Sequence, residues 1–170
     1  GTQSFQTSGA VSVASVGTGP VTASGSSIDL TGAGPVTVAS ATATGGKIRL
    51  RAADALTVTT SNATGAIDAA SSNGALQLAT ATAGGPVIGR AATGASFDTI
   101  TAGSIDLAST AGPITGTRTV TSGTQRFDTS GAVTIADVGT GAVTARGSNV
   151  ALTATGPMTR LASGMKTMAK

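Results

Sequence analysis

The chain has 170 residues and a formal net charge of +3; 39% of its residues are hydrophobic, 10% charged and 2% aromatic. It contains no Cys, His, Trp or Tyr, and all seven acidic side chains are Asp. These counts exclude disulfide frameworks, Cys/His zinc sites, haem attachment, thiol nucleophiles and a histidine general base.

A mean hydropathy of +0.27 argues against disorder, which goes with low hydrophobicity and high net charge. The sequence pI of about 10.2 reflects a scarcity of acids more than a basic patch. No apolar run approaches the roughly 20 residues of a spanning helix, and no signal peptide is legible. The repeat described next is already under way at Gly1, so the chain reads as a piece or processed form of something longer.

From the N-terminus onward one short unit recurs: a turn residue, a spacer, then apolar, polar, apolar. Clear copies are AVSV after Gly9, SIDL after Ser26, PVTV after Gly34, KIRL after Gly46, ALTV after Asp54, ALQL after Gly74, SIDL after Gly103, AVTI after Gly131 and NVAL after Ser148. Fainter ones follow Gly19, Gly65, Gly85, Gly94, Gly112, Gly141 and Gly156. Strict alternation is the signal of a strand with one buried face. Gly, Ser, Asn and Asp supply the turns, and 31 Thr favour strands. No stretch carries a 3.6-residue period.

A longer repeat overlies the short one. Residues 1–40 and 123–162 match without a gap at 24 of 40 positions, a sign of growth by duplication. The beat of about 9 residues doubles to about 18–20. Hairpins would call for Asn-Gly or Asp-Gly at tight loops, and only Asn73-Gly74 fits. A double beat corresponds instead to one turn of a parallel β-helix, each strand lying on its equivalent in the previous coil. The expected fold is therefore all-β, a right-handed β-solenoid of eight to nine coils with about 18–23 residues each, roughly 40 Å long at the usual strand spacing. Residues 1–164 form its single repeat region and 165–170 an irregular tail.

Register predicts one inward column through Ile28, Ile48, Ile67, Val87, Ile105, Phe127 and Val150. Its outward neighbours are Asp29, Arg49, Asp68, Asp106 and Asp128, with Arg49 within reach of Asp29 or Asp68. A second inward column takes Val36, Leu56, Leu76, Ile114 and Val143. Asp106 and Asp128 on successive coils repel unless a cation stands between them.

Chemistry is sparse. A polysaccharide-cleaving β-helix needs two or three of Asp29, Asp54, Asp68, Asp98, Asp106, Asp128 and Asp137 to converge about a base or calcium ion, and Asp29 and Asp68 read equally well as an exposed charge ladder. Ser163 and Lys166 have Ser-x-x-Lys spacing without its companion motifs. Gly45-Gly46-Lys47 lacks the rest of a phosphate loop, and Gly17-Thr18-Gly19 and Gly139-Thr140-Gly141 lack the third glycine of a dinucleotide fingerprint; all three read as turns. Thr42 with Thr44, Thr57 with Thr59, and Thr80 with Thr82 resemble the ladders of ice-binding solenoids, with a break at Asn62–Thr64. Arg90, Arg118, Arg126, Arg146 and Arg160 are scattered without aromatic interleaving, unlike a nucleic-acid surface.

The segments GSSIDLTGAGPVTVAS, GGKIRLRAADALTVTT, AGSIDLASTAGPIT and GSNVALTATGPMTRLAS resemble the haemagglutinin-type repeats of the filamentous haemagglutinin family, secreted exoproteins and adhesins of the two-partner secretion class. The resemblance covers most of the chain, faintly over 85–96 and not over the final MKTMAK. It implies a right-handed parallel β-helix, a secreted or cell-surface location in a Gram-negative bacterium, and a role in adhesion, biofilm or as the stalk of a contact-delivered toxin. The family's secretion domain, a toxin domain and an RGD motif are absent from these 170 residues.

The expected function is a segment of a large surface fibre, a structural stalk or adhesin. Its partners are a host or neighbouring-cell surface or extracellular matrix, with end-to-end or lateral self-association. No catalytic, cofactor or metal site, no nucleic acid and no membrane span is expected. An ice-binding solenoid and a carbohydrate-active β-helix are the competing classes.

Overall fold

The computed structural model describes residues 1–154 and, as backbone strand, 160–162. The Ser163/Lys166 spacing, the tail at 165–170, Gly156 and the side chain of Arg160 lie outside the described residues.

Among the described residues eighteen strands alternate between two nine-stranded sheets. Sheet one holds β1 (Gln3–Gln6), β3 (Val21–Gly25), β5 (Val36–Ala43), β7 (Leu56–Ala63), β9 (Leu76–Ala83), β11 (Ala95–Thr101), β13 (Ile114–Val120), β15 (Ala132–Asp137) and β17 (Asn149–Leu152). Sheet two holds β2 (Val11–Val13), β4 (Ile28–Gly32), β6 (Ile48–Ala52), β8 (Ile67–Ser71), β10 (Pro86–Ala91), β12 (Ser104–Ser109), β14 (Gln125–Thr129), β16 (Val143–Arg146) and β18 (Arg160–Ala162). Every pairing among the described residues is parallel and joins a strand to the next strand but one, from Val11 on Ile28 to Leu56 on Leu76. The molecule is a β-solenoid. Its coils advance by 17 to 20 residues, the shortest falling just below the expected 18. The faint segment at 85–96 continues both ladders through β10 and β11.

The alternation fixes what points inward. In sheet two, Ile28, Ile48, Ile67, Val87 and Ile105 stack in one column, each at most 2% exposed. In sheet one, Val36, Leu56, Leu76, Ala95, Ile114, Val133 and Val150 stack in a second buried column. Burial of one such Ile or Leu contributes about 1.5–3 kcal/mol, so aliphatic columns can stabilise a chain almost without aromatics. Volume is conserved along the axis: Leu107 and Leu76 crowd the space above Gly89, and the Phe97 ring lies over Gly116 and stacks on Phe127 at 6.4 Å between centroids.

Three expected column members are displaced. Gln125, not Phe127, follows Ile105, and Phe127 sits on Leu107. Val150 belongs to sheet one on Val133, while Val143 belongs to sheet two on Gln125. The step from Phe127 to Val150 is longer than any coil here, and that from Ile114 to Val143 is about a coil and a half. Asp128 likewise lies beside Ala108, and the outward successor of Asp106 is Arg126.

Turns are stacked as tightly as strands. The amides of Gly65, Gly85 and Gly103 donate to the carbonyls of Gly46, Gly65 and Gly85 at 2.9–3.0 Å. A Cβ on Gly65 would come within 2.9 Å of the Gly46 oxygen, so this corner requires glycine. Gly94, at φ +145°, occupies a region essentially closed to other residues. At other corners buried hydroxyls fasten the chain: Ser71 donates to the Asp54 carbonyl and accepts from Gly74 N, and Thr129 does the same with Gly112 and Gly131.

The duplicated segments form equivalent strands. β1 to β4 correspond to β14 to β17, and both sets use short coils of 17 to 18 residues. Gln3 and Gln125 each reach a glycine loop, at Gly17/Gly19 and Gly139. The copies nevertheless occupy opposite sheets, because β1 and β14 are thirteen strands, or six and a half coils, apart.

Candidate functional surfaces

Outward side chains make the two sheets chemically unlike. Two columns run along sheet two. The first is Asp29, Arg49, Asp68, Ile88, Asp106, Arg126 and Thr144; the second is Thr31, Arg51, Ala70, Arg90, Ala108, Asp128 and Arg146. In neither column do like charges stand on adjacent strands, where a spacing of about 4.8 Å would make them repel.

Arg49 donates to Asp29 at 3.3 Å, as expected. Asp68 is taken by a residue that the linear reading passed over, Arg51, which also donates to the Asp68 carbonyl at 3.0 Å. Arg90 repeats the device on Asp106, at 2.7 Å to its carboxylate and 3.0 Å to its carbonyl. Arg126 supplies the cation required between two carboxylates, donating to Asp128 at 2.7 Å and lying 3.7 Å from Asp106 Oδ1. The signal for the diagonal pairs is an Arg-to-Asp spacing of 16–17 residues, two short of the local coil. These side chains are about a quarter to a half exposed, so each pair contributes about 0–1 kcal/mol.

Sheet one is creased. In β5, β7 and β9 two consecutive residues face outward, Ala39-Ser40, Thr59-Thr60 and Ala79-Thr80, before alternation resumes. Such a break turns the strand through a corner and leaves a separate facet beyond it. On that facet Thr22, Ser40, Thr60, Thr80 and Thr99 form one ladder, and Ser24, Thr42, Asn62, Thr82 and Thr101 a second. Thr57 stands before the crease, and Thr44 and Thr64 belong to turns, so the ladder expected to break over Asn62–Thr64 has a single amide at Asn62. Strands β1, β3, β5, β7 and β9 contain no charged residue; Asp98, Arg118 and Asp137 appear only farther along.

The carboxylates do not converge. Among the described residues no three of His, Cys, Asp and Glu come together, and Asp29 and Asp68 are held apart by Arg49 and Arg51. Gly45-Gly46 and the loops at 17–19 and 139–141 are turns. The concavities are shallow, about 300 Å³ each; one is lined by Ser96, Phe97, Asp98 and Gly116. Within the lumen, Thr119 donates to Gln125 at 2.6 Å and accepts from Gly139 N at 2.9 Å, a satisfied structural network. No helix among the described residues is long and apolar enough to cross a membrane.

The fold and its faces define a parallel β-solenoid with one side carrying most of the ion pairs and one creased, hydroxyl-bearing side whose ion pair, Arg118 with Asp137 at 3.5 Å, lies near its far end. Comparison with protein-family models, with curated proteins and with solved structures gives no match.

Proposed function

We propose that this chain is a rigid segment of a large secreted or cell-surface fibre, of the filamentous haemagglutinin kind, serving as a stalk that projects an adhesive region. The observation that carries this reading is the unbroken parallel ladder: each coil adds one strand spacing of about 4.8 Å and contacts only its neighbours, so length grows with coil number and stiffness comes from in-register backbone hydrogen bonds. Side-chain chemistry is spent on holding coils together, through Arg–Asp pairs between adjacent strands and hydroxyl-fastened corners. The test is replacement of the segment, within the parent surface protein, by an unrelated solenoid with the same number of coils. Display and adhesion should survive replacement and fall on deletion. Loss of adhesion on replacement would overturn the spacer reading and assign binding to the segment's own faces.

A second reading rests on the facet beyond the crease. Two ladders, hydroxyl-bearing but for Asn62, cross five strands and repeat at about 4.8 Å between strands and about 6.5–7 Å along them; they carry no charge themselves, with Asp98 beside Thr99 at their far edge, an arrangement suited to ordering water against ice. Thermal hysteresis that disappears with Thr80→Tyr would support it; its absence in the folded chain would dispose of it.

A further inference from the structure

The first outward column of sheet two reads, strand by strand from β4 to β14, minus, plus, minus, neutral, minus, plus, through Asp29, Arg49, Asp68, Ile88, Asp106 and Arg126. Reversed end for end and laid on itself over its full length, this series sets no like charges opposite one another. With a two-fold axis along the strands, centred between β8 and β10, Asp29 faces Arg126 of a second copy and Arg49 faces Asp106 of that copy. Both contacts occur twice by symmetry, and no like charges stand opposite one another in either column.

Neighbouring arrangements lack this property. A shift of one coil sets Asp29 opposite Asp106, or Arg49 opposite Arg126. A two-fold axis along the rod sets Arg49 opposite Arg51.

We propose that the charged face of sheet two docks a second copy of this chain, the two rods running antiparallel in that register. The contact stands whether or not the rod is a spacer. Six facing strands of about five residues cover roughly 500 Å² on each copy, about 1,000 Å² in total, the low end of specific interfaces. Two charge pairs, each made twice around a centre where Asp68 faces Ile88, make the pairing weak and salt-sensitive, and the closed two-fold stops it at dimers.

Sedimentation velocity on the purified chain, over roughly 10–500 μM in about 20 mM and about 500 mM salt, tests this, the higher salt shortening the Debye length to a few ångströms. A dimer that forms at low salt and dissociates at high salt is expected. Arg49→Asp alone and Asp106→Arg alone should each be monomeric, since each sets like charges across the interface twice. An equimolar mixture of the two should recover the dimer, since position 49 then faces position 106 with opposite charges in both contacts. Circular dichroism checks that each variant is folded; if either is not, Arg49→Gln and Asp106→Asn take their places and should each weaken association at least tenfold. A monomeric wild type at low salt, a dimer unaffected by Arg49→Asp or the neutral variants, no recovery on mixing folded variants, or open-ended polymers would each overturn the proposal.

Discussion

Phe97 and Gly116 occupy successive positions of one inward column, and the ring of the first fills the space left by the second. Phe97 is 4% exposed and stacks on Phe127 from the opposite sheet. Phe97→Ala should therefore cost about 3–5 kcal/mol, the range for emptying a buried aromatic site. Gly116→Ala drives a methyl into the ring and should cost about 1–3 kcal/mol by overpacking. In the double variant the methyl enters the vacated space, so the total should fall short of the sum by about 1–3 kcal/mol. Without Trp or Tyr the chain offers little intrinsic fluorescence, and urea unfolding is best followed by far-UV circular dichroism. With a slope of about 2 kcal/mol/M, a coupling of that size separates observed and additive midpoints by about 0.5–1.5 M. Additivity within ~0.5 kcal/mol would refute the view that ring and glycine share one space.

Adjacent residues in β6 should respond very differently: Ile48→Ala, inward and fully buried, should cost about 2–5 kcal/mol, whereas Arg49→Ala should cost less than about 1 kcal/mol, both read from the urea midpoint. The turn amides of Gly65, Gly85 and Gly103 should exchange as slowly as neighbouring strand amides, because they donate between coils; hydrogen exchange at open-loop rates would show that the corners are not part of the ladder. Gln125→Ala should cost about 1–3 kcal/mol by leaving Thr119 and the Gly139 carbonyl without their partner, and Gln3→Ala less, since Gln3 is only half-buried; equal losses would contradict the enclosure of the lumen network.

The strand period, the parallel pairing and the first five members of the Ile28 column were legible because apolar residues recur at a nearly constant distance through the middle of the chain. Legibility failed at Phe127 for a physical reason. Gln125 and Phe127 both point inward, and alternation cannot decide which of the two sits under Ile105. Only the 20-residue coil between β12 and β14 does, and it seats a satisfied polar residue where an apolar one was expected. The crease in sheet one was hidden because it breaks alternation at positions such as Thr59-Thr60, where both residues are ordinary strand formers. Arg49 on Asp29 could be read along a column. Arg51 on Asp68 runs diagonally, and seeing it requires the lateral spacing of two columns as well as the coil length.

The displacement of the duplicated segments by six and a half coils bears on how such a rod changes over generations. Its indivisible module is one strand with its turn, about nine residues, and either sheet accepts that module because both bury the same kinds of side chain. Gain or loss of an even number of modules leaves every downstream residue on its original side. An odd number rotates everything beyond it through half a turn and exchanges the charged side for the hydroxyl side without touching a single core contact farther along. Which side of the fibre carries a given chemistry is thus a matter of parity, and an insertion or deletion of nine residues is enough to invert it.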